Sequence, residues 1–434
     1  MELPLTRTGD AAEPRRGNGA LRTPAFIRYF SAIGVSAFGT ALTAVAMPVL
    51  VVTVLGADPF EVGIVNAAGF LPYAVLGLFA GVYVDRWSRQ RVLVWASVGR
   101  AVSLALIPVL WVAGILHVWV LVSLLLLFGA FSVFGFAATQ SLLPQIVERR
   151  ALLAANARLD QVDAAAQTAG PALGGTVVGV LGAPLTIAID AVTYIVDAVL
   201  IAGARITESA RPPTAQRSLR REIGEGLRWG YRHRRLGPLA WSTHTWFFAN
   251  AAAFTVLAVF ALRTLGVSPV VFGLLLAFSG VAMLLGATLA VRAGARFGSG
   301  ATITATRAVY PVAWLLVALV PVGAGTDAVA LTLLFAALAL QGFAGGLENP
   351  NEMSLRQTLT PDALLGRVNG TMRAANRTMA AAGAVAGGVA VTLIGIPPTL
   401  WCLIGIFTTA FLIALLSPVR SATTPGETPG VQGT

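Results

Sequence analysis

The stretch GVYVDRWSRQR, Gly81–Arg91, places one Asp and three Arg within eleven residues. On both sides the chain is almost wholly apolar for about twenty residues. The wider composition explains the contrast. Of 434 residues 56% are hydrophobic and only 11% charged, and the mean hydropathy is +0.78. Soluble domains carry about a quarter charged residues. This chain lacks the polar side chains to cover soluble surfaces, and the composition is that of an integral membrane protein.

A bilayer core about 30 Å thick needs roughly 20 helical residues. Twelve runs meet that length: 25–54, 61–83, 92–114, 118–143, 155–182, 185–204, 238–263, 268–291, 301–323, 328–350, 364–394 and 397–417. The split between the fifth and sixth rests on LGAPLT as a turn. All thirty basic residues are Arg, and the net charge is +11. They fall in short clusters between apolar spans, which excludes the continuous basic face of a nucleic-acid binder. With the N-terminus in the cytoplasm, the inner segments hold nearly all of them, and the outer turns are almost free of Arg. The positive-inside rule therefore predicts both termini on the cytoplasmic side. The first apolar run is too long for a signal-peptide core and is expected to remain in the mature protein.

The expected organisation is an N-terminal tail (1–24), a six-helix bundle (25–204), a central loop (205–237), a second six-helix bundle (238–417) and a C-terminal tail (418–434). Within the loop, RSLRREIGEGLRWGYRHRRL spaces Leu219, Ile223, Leu227 and Tyr231 four apart, with seven Arg among the remaining sixteen residues. This predicts a basic amphipathic helix suited to anionic headgroups, with membrane lipids as partners.

The halves repeat. Shifted by 213, Ser141–Gly175 overlies Ser354–Gly388 with eight of 35 positions identical, among them Gly170/Gly383, Gly174/Gly387 and Gly175/Gly388. A shift of 210 pairs LGADPFEVG (55–63) with LGVSPVVFG (265–273). Two like-oriented repeats predict an all-α, twelve-span protein of two pseudo-symmetric bundles around a central site.

On these features the chain resembles the major facilitator superfamily over essentially its whole length. Gly81, Asp85, Arg86, Arg89 and Arg91 look like the family's signature loop between helices two and three. Gly170, Pro171, Gly174 and Gly175 look like the helix-five motif of its exporters, although Ala166 stands where a further Gly is usual. LLPQIVERRALLAANA (142–157) and RQTLTPDALLGRVNG (356–370) are similar to loops of the enterobactin-exporter and macrolide-efflux branch. The Arg that other drug antiporters carry in helix four is missing from 118–143.

Charges inside spans are costly and therefore informative. Asn156, Asp160, Asp163 and Gln167 share one face of helix five. The repeat places Asn369, Arg373, Asn376 and Ala380 correspondingly on helix eleven. The resemblance implies inter-bundle gates pairing Asp85 with Arg367 or Arg373, and Asp160 and Asp163 with Arg292 and Arg296. Arg89 and Arg91 also read simply as topology anchors. For proton coupling, which needs a desolvated carboxyl group, Glu348 in helix ten is the first candidate, with Asp190 and Asp197 on helix six following. In the family fold helix ten lines the central cavity. His244 is expected to be neutral and hydrogen-bonded near the outer end of helix seven. Polar candidates for substrate contact are Ser36, Thr40, Thr43, Gln140, Asn250, Gln341 and Asn349. Trp246, with Phe134, Phe136, Phe247 and Phe248, offers apolar surface. The glycines of helix five allow close helix approach.

The lone Cys402 excludes an internal disulfide and a cysteine metal cluster. No phosphate loop, nucleophile motif or metal constellation is present in the sequence, so the chain does not read as an enzyme and needs no cofactor. The expected activity is efflux of small amphipathic molecules (an antibiotic, siderophore or other natural product) driven by a proton gradient, from a monomer in a bacterial cytoplasmic membrane. A proton-coupled importer is the alternative, and a membrane sensor a more distant one.

Overall fold

A computed structural model describes residues 20–84, 87–204, 206, 208, 219–321, 323 and 325–423. Among the described residues it is helical throughout. The helices are α1 (Pro24–Val49), α2 (Pro59–Val84), α3 (Arg89–Val112), α4 (Val118–Ile146), α5 (Leu152–Leu181), α6 (Ala183–Ala202), α7 (Leu219–Arg232), α8 (Leu236–Val259), α9 (Pro269–Phe297), α10 (Ser299–Ala318), α11 (Ala328–Leu359), α12 (Asp362–Ile394) and α13 (Ile396–Leu415). One turn of π-helix extends α1 (Leu50–Val54), and another extends α8 (Phe260–Thr264). The twelve long helices coincide with the twelve runs. Eleven of them are long and apolar enough to cross a bilayer, and α5, with its polar stripe, is the exception.

Local chemistry sets the helix ends. Asp58 and Glu61 form a reciprocal capping box at the start of α2. Thr23, Ser268 and Asp327 cap α1, α9 and α11 by accepting a backbone N–H. Gly182, at φ +82°, makes the break between α5 and α6 within LGAPLT. Several helices outrun their apolar stretches, α9 to Phe297 and α11 to Leu359, because apolarity marks the bilayer and not the helix end.

The two bundles repeat one packing scheme. In the first, α1 packs on α5 and α6, α3 on α4 and α6, and α2 on α4. In the second, α8 packs on α12 and α13, α10 on α11 and α13, and α9 on α11. Across the interface α5 meets α9, and α12 meets α2. The end at which α1 begins and α13 finishes is called proximal below, and the opposite end distal.

Toward the distal end the bundles close on one another. Gly175 of α5 rests on Pro269 O and Gly273 of α9, while Gly388 of α12 rests on Pro59 O and Phe60 of α2. These are the same contact in the two repeats. A side chain at either position would meet backbone, so glycine is required. Arg263 Nη2 donates to Val52 O (3.2 Å) and Ala57 O (2.5 Å), and Asn66 Nδ2 donates to Thr255 Oγ1 (3.0 Å). Both link the bundles. Proximally, Asp160, Asp163, Arg292 and Arg296 are all exposed, and no ion pair joins them. The molecule is closed distally and parted proximally.

Helix α7 departs from the expected orientation. It docks on α12 and α8, with the side bearing Gly226 and Gly230 inward. Gly226 lies against Arg367 O, and Gly230 against Met372 and Val368. Trp229 and Tyr231 pack on the cluster of Ala240, Val368 and Met372. Of the face expected on lipid, Tyr231 is thus on protein and Leu227 is 39% exposed. Two glycines make the α7 backbone thin enough to approach α12, which the Leu/Ile spacing does not reveal.

Candidate functional site

A cavity of about 650 Å³ opens in the first bundle beside the inter-bundle space. Helices α1 to α6 all contribute to its wall. Its aromatic lining is Tyr73, Phe128, Phe136 and Tyr194, and its charges are Arg100, Asp163 and Asp197. Arg100 stands in the middle of α3, its guanidinium 4.3 Å from the Tyr194 ring centroid and 3.6 Å from Asp197 Oδ2. Arg100 Nη2 also donates to Ser97 Oγ (2.8 Å), which in turn donates to Asp197. Asp197 is buried, so its charge is matched inside the bundle and not by solvent.

About two turns back along α6, Asp190 accepts from Thr43 Oγ1 (2.6 Å) and Thr193 Oγ1 (3.1 Å). Thr40 shares a hydrogen bond with Tyr194 OH (2.8 Å). Of the three α1 candidates, Ser36 and Thr40 therefore line the cavity, while Thr43 is turned to Asp190. Ser36 also donates to Ala32 O (3.1 Å).

A second cavity of about 320 Å³ lies between α2 and α4 on one side and α12 on the other. Tyr73 and Phe136 belong to both cavities, and Gln140, Asn369 and Arg373 line the second. Arg373 lies over Phe136, its guanidinium carbon 4.9 Å from the ring centroid. Arg377, one turn on, lies over Phe70 and Tyr73 at 5.7 and 5.5 Å.

Glu348 is 5% exposed and does not line either cavity. It meets Arg307 of α10, Nη2 to Oε1 at 2.6 Å, and Arg307 also reaches Glu352 Oε2 at 3.3 Å. Thr243 of α8 donates to Glu352 (3.1 Å). Arg307 turns Glu348 into the interior of the second bundle, away from the central space expected of it. Gln341 links Trp314 and Asn250, accepting from the first (2.9 Å) and donating to the second (3.1 Å). Trp246 packs edge-on against Phe247 and Tyr310. Asn349 is exposed and lines neither cavity.

His244 corrects an expectation. It sits near the proximal start of α8, not near the distal end, because α8 begins at Leu236. Its Nε2 is 2.6 Å from Tyr231 OH of α7 and its Nδ1 2.6 Å from Asn376 Oδ1 of α12.

In the signature loop, Asp85 and Arg86 lie outside the described residues, and Gly81 falls in the last turn of α2. Arg91 is exposed. Arg89 is buried and pairs with Glu208 (3.6 Å), which is more than a topology anchor does. Glu208 accepts from Ser88 Oγ (2.8 Å) and from the N–H groups of Arg89 and Gln90 (both 2.9 Å), closing the α3 N-terminus. Burial works to raise the Glu208 carboxyl. The donors at Gln90, Arg89 and Ser88 and the Arg89 guanidinium outweigh it and hold the group below the usual carboxylate range. Arg367, expected at a gate, pairs with Glu225 of α7. Gly170 and Gly174 face Ala41 and Leu42 of α1, completing the close-packed edge that Gly175 extends to α9.

Sequence reasoning passed over Arg100, Arg307 and Arg377. The signal was present, since an Arg well inside an apolar run demands a partner or a cavity. Glu208 carried no such signal because its role comes from a fold-back across the loop.

Comparison with known proteins bears on this architecture. The family described as transmembrane secretion effector, of the major facilitator superfamily, matches residues 17–428. The multidrug efflux pump Tap of Mycolicibacterium fortuitum is 29% identical over 364 residues, covering 81% of this chain and 85% of that one. An uncharacterized transporter of the superfamily, YfiS of Bacillus subtilis, is 26% identical over 376 residues, covering 83% and 85%. Among solved structures, a point mutant of the nucleoside transporter NupG superposes with a TM-score of 0.75 at 12% identity, covering 91% and 99%. A bacterial homologue of the iron transporter ferroportin, in an inward-facing state, superposes with a TM-score of 0.69 at 15% identity, covering 91% and 98%. The match along nearly the full length, with the two-bundle packing that goes with it, places this chain among the membrane transporters of the major facilitator superfamily, in its transmembrane secretion effector family.

Proposed function

We propose that the protein exports small amphipathic molecules from a bacterial cytoplasm in exchange for protons, by alternating access. The proximal end is then cytoplasmic, as the Arg distribution requires. The observation that carries the reading is the cavity of about 650 Å³, lined by both aromatic and charged side chains, in a molecule parted proximally and closed distally. That is the shape of a carrier loading from the inner side. Efflux by the Tap relative supports the direction.

Coupling is assigned first to Asp197, whose carboxylate lies in the cavity wall within reach of Arg100. A proton taken up by Asp197 removes its claim on Arg100, and the freed guanidinium changes the charge met by substrate. Glu348 is the second acid, paired with Arg307 out of the cavity. Inverted vesicles with an imposed proton gradient test the reading. The expected result is gradient-dependent uptake of an amphipathic dye, lost in Asp197→Asn while dye binding persists. Uptake indifferent to the gradient overturns the coupling.

A further inference from the structure

Two arginines of α12, Arg373 and Arg377, stand four residues apart and so on one face of the helix. Both lie well inside a membrane-spanning helix, where a charge persists only with a partner or an aqueous cavity. Among the described residues neither has a carboxylate partner. Their close neighbours are rings, Phe136 for Arg373, and Phe70 and Tyr73 for Arg377. Two other arginines deep within spans are matched by acids, Arg100 by Asp197 and Arg307 by Glu348 and Glu352.

The space beside Arg373 is the 320 Å³ cavity between α2, α4 and α12. Its described lining contains no acid, and two amides, Gln140 and Asn369, complete its polar surface. Asn369 Oδ1 is buried without a hydrogen-bond partner. Rotating that amide presents an N–H₂ donor at the same place. Guanidinium, amide donors and aromatic faces, with no acid, are the chemistry of an anion carried on an apolar body.

Resting on the exporter reading, we propose that this cavity is an anion subsite. Arg373 takes the carboxylate of an amphiphilic organic acid in the cavity wall, Arg377 adds its charge from one turn away over Tyr73, and the apolar part lies against Phe136 and Tyr73. Because both rings also line the larger cavity, such a molecule extends from one space into the other. It then touches α2 and α4 of one bundle and α12 of the other, so its departure alters contacts between the bundles. The repeat supports the assignment, since the position matching Arg373 in helix five is Asp160. One repeat has reversed its charge, which helix packing alone does not require.

The test uses the full chain in phosphatidylcholine nanodiscs, where no lipid competes as a net anion. Three probes share one aromatic body: pyrene butyrate, pyrene butanol and pyrene butylamine. Binding is read by fluorescence anisotropy. The acid is expected to bind at least about tenfold more tightly than the alcohol or the amine, since a charge-assisted bidentate contact is worth roughly that factor or more. Arg377→Gln and Arg373→Gln should each remove the preference while leaving affinity for the alcohol unchanged. Arg377→Lys should restore part of it. Equal binding of acid and alcohol, or a preference that survives both Gln substitutions, overturns the proposal. Thermal melting of each variant identifies misfolding, and the Lys variant keeps the test decisive if a Gln variant fails to fold. Because binding is measured without a gradient, failure of proton-driven export would leave this result standing, and the reverse also holds.

Discussion

Gly387 and Gly388 are neighbours with opposite duties, and substituting each tests whether the distal contact opens and closes. A methyl group added at Gly388 would fall onto Pro59 O of α2, with Phe60 Cα 3.1 Å away. One added at Gly387 would lie 2.8 Å from Ala252 Cα of α8. The first contact joins the two bundles, and the second lies within one. Overpacking of this kind costs about 1–3 kcal/mol. In Gly388→Ala the cost falls only on the state in which α2 and α12 touch there. It therefore appears as a population shift of about five- to 150-fold toward the distal-open form. In Gly387→Ala a similar cost falls on both states, so stability drops without a shift. The assay begins from Cys402→Ser, which removes the chain's one cysteine. Thr255→Cys adds a reporter at a buried residue in the distal interface, where Asn66 reaches across from α2. Labelling of intact cells with an impermeant maleimide should run at least about fivefold faster with Gly388→Ala and at the parent rate with Gly387→Ala. Equal rates for Gly388→Ala and its parent, with both proteins intact in the membrane, would refute the reasoning.

Other expectations follow from individual contacts. Arg307→Ala leaves Glu348 buried without its cation and should cost about 3–5 kcal/mol, seen as a lower melting temperature in detergent that Glu348→Gln partly restores. No rescue would mean the two charges are not coupled. Glu208, whose carboxyl is held below the usual range, contributes stability that is present in full above the ordinary carboxylate pKa and lost as pH falls through its own lower value. Protection of the Arg89 and Gln90 amides against hydrogen exchange, relative to the intrinsic rate at each pH, should therefore fall as pH drops below the ordinary carboxylate range, and Glu208→Gln should abolish that step. Glu225→Arg sets like charges against Arg367 and should release α7, raising protease cleavage within 219–235 while the bundles stay folded. Unchanged cleavage would show that Gly226, Gly230 and Trp229 hold the helix without the ion pair.

Much of the fold was legible because apolar runs of bilayer length admit few structures. The repeat added the pairing of helices, since Gly175 and Gly388 align in sequence and meet Pro269 and Pro59 respectively, themselves aligned. Side-chain partners were less legible. Glu348 sits in a helix expected to line the cavity, yet Arg307, forty-one residues away in sequence, turns it inward. Tyr231 carries an apolar period that reads as lipid-facing, yet Gly230 beside it brings the helix onto α12. In the first case the deciding residue lies on another helix, in the second beside the residue on its own, and helical periodicity reports only the angle at which a side chain leaves its helix and not what that face meets.

The divergence between repeats then points to function more directly than their likeness. Gly170, Gly174 and Gly175 reappear as Gly383, Gly387 and Gly388 because both bundles must approach neighbours equally closely. Charges are under no such constraint. In the first bundle Arg100 and Asp197 pair beside a cavity, while in the second Arg307 pairs with Glu348 and Glu352 away from both described cavities. Asp160 of helix five gives way to Arg373 on α12. Packing is satisfied by two near-identical halves, so the charge differences have another origin. A substrate with one polar end and one apolar end, held between the halves, imposes such a difference, because it meets each half with a different part of itself.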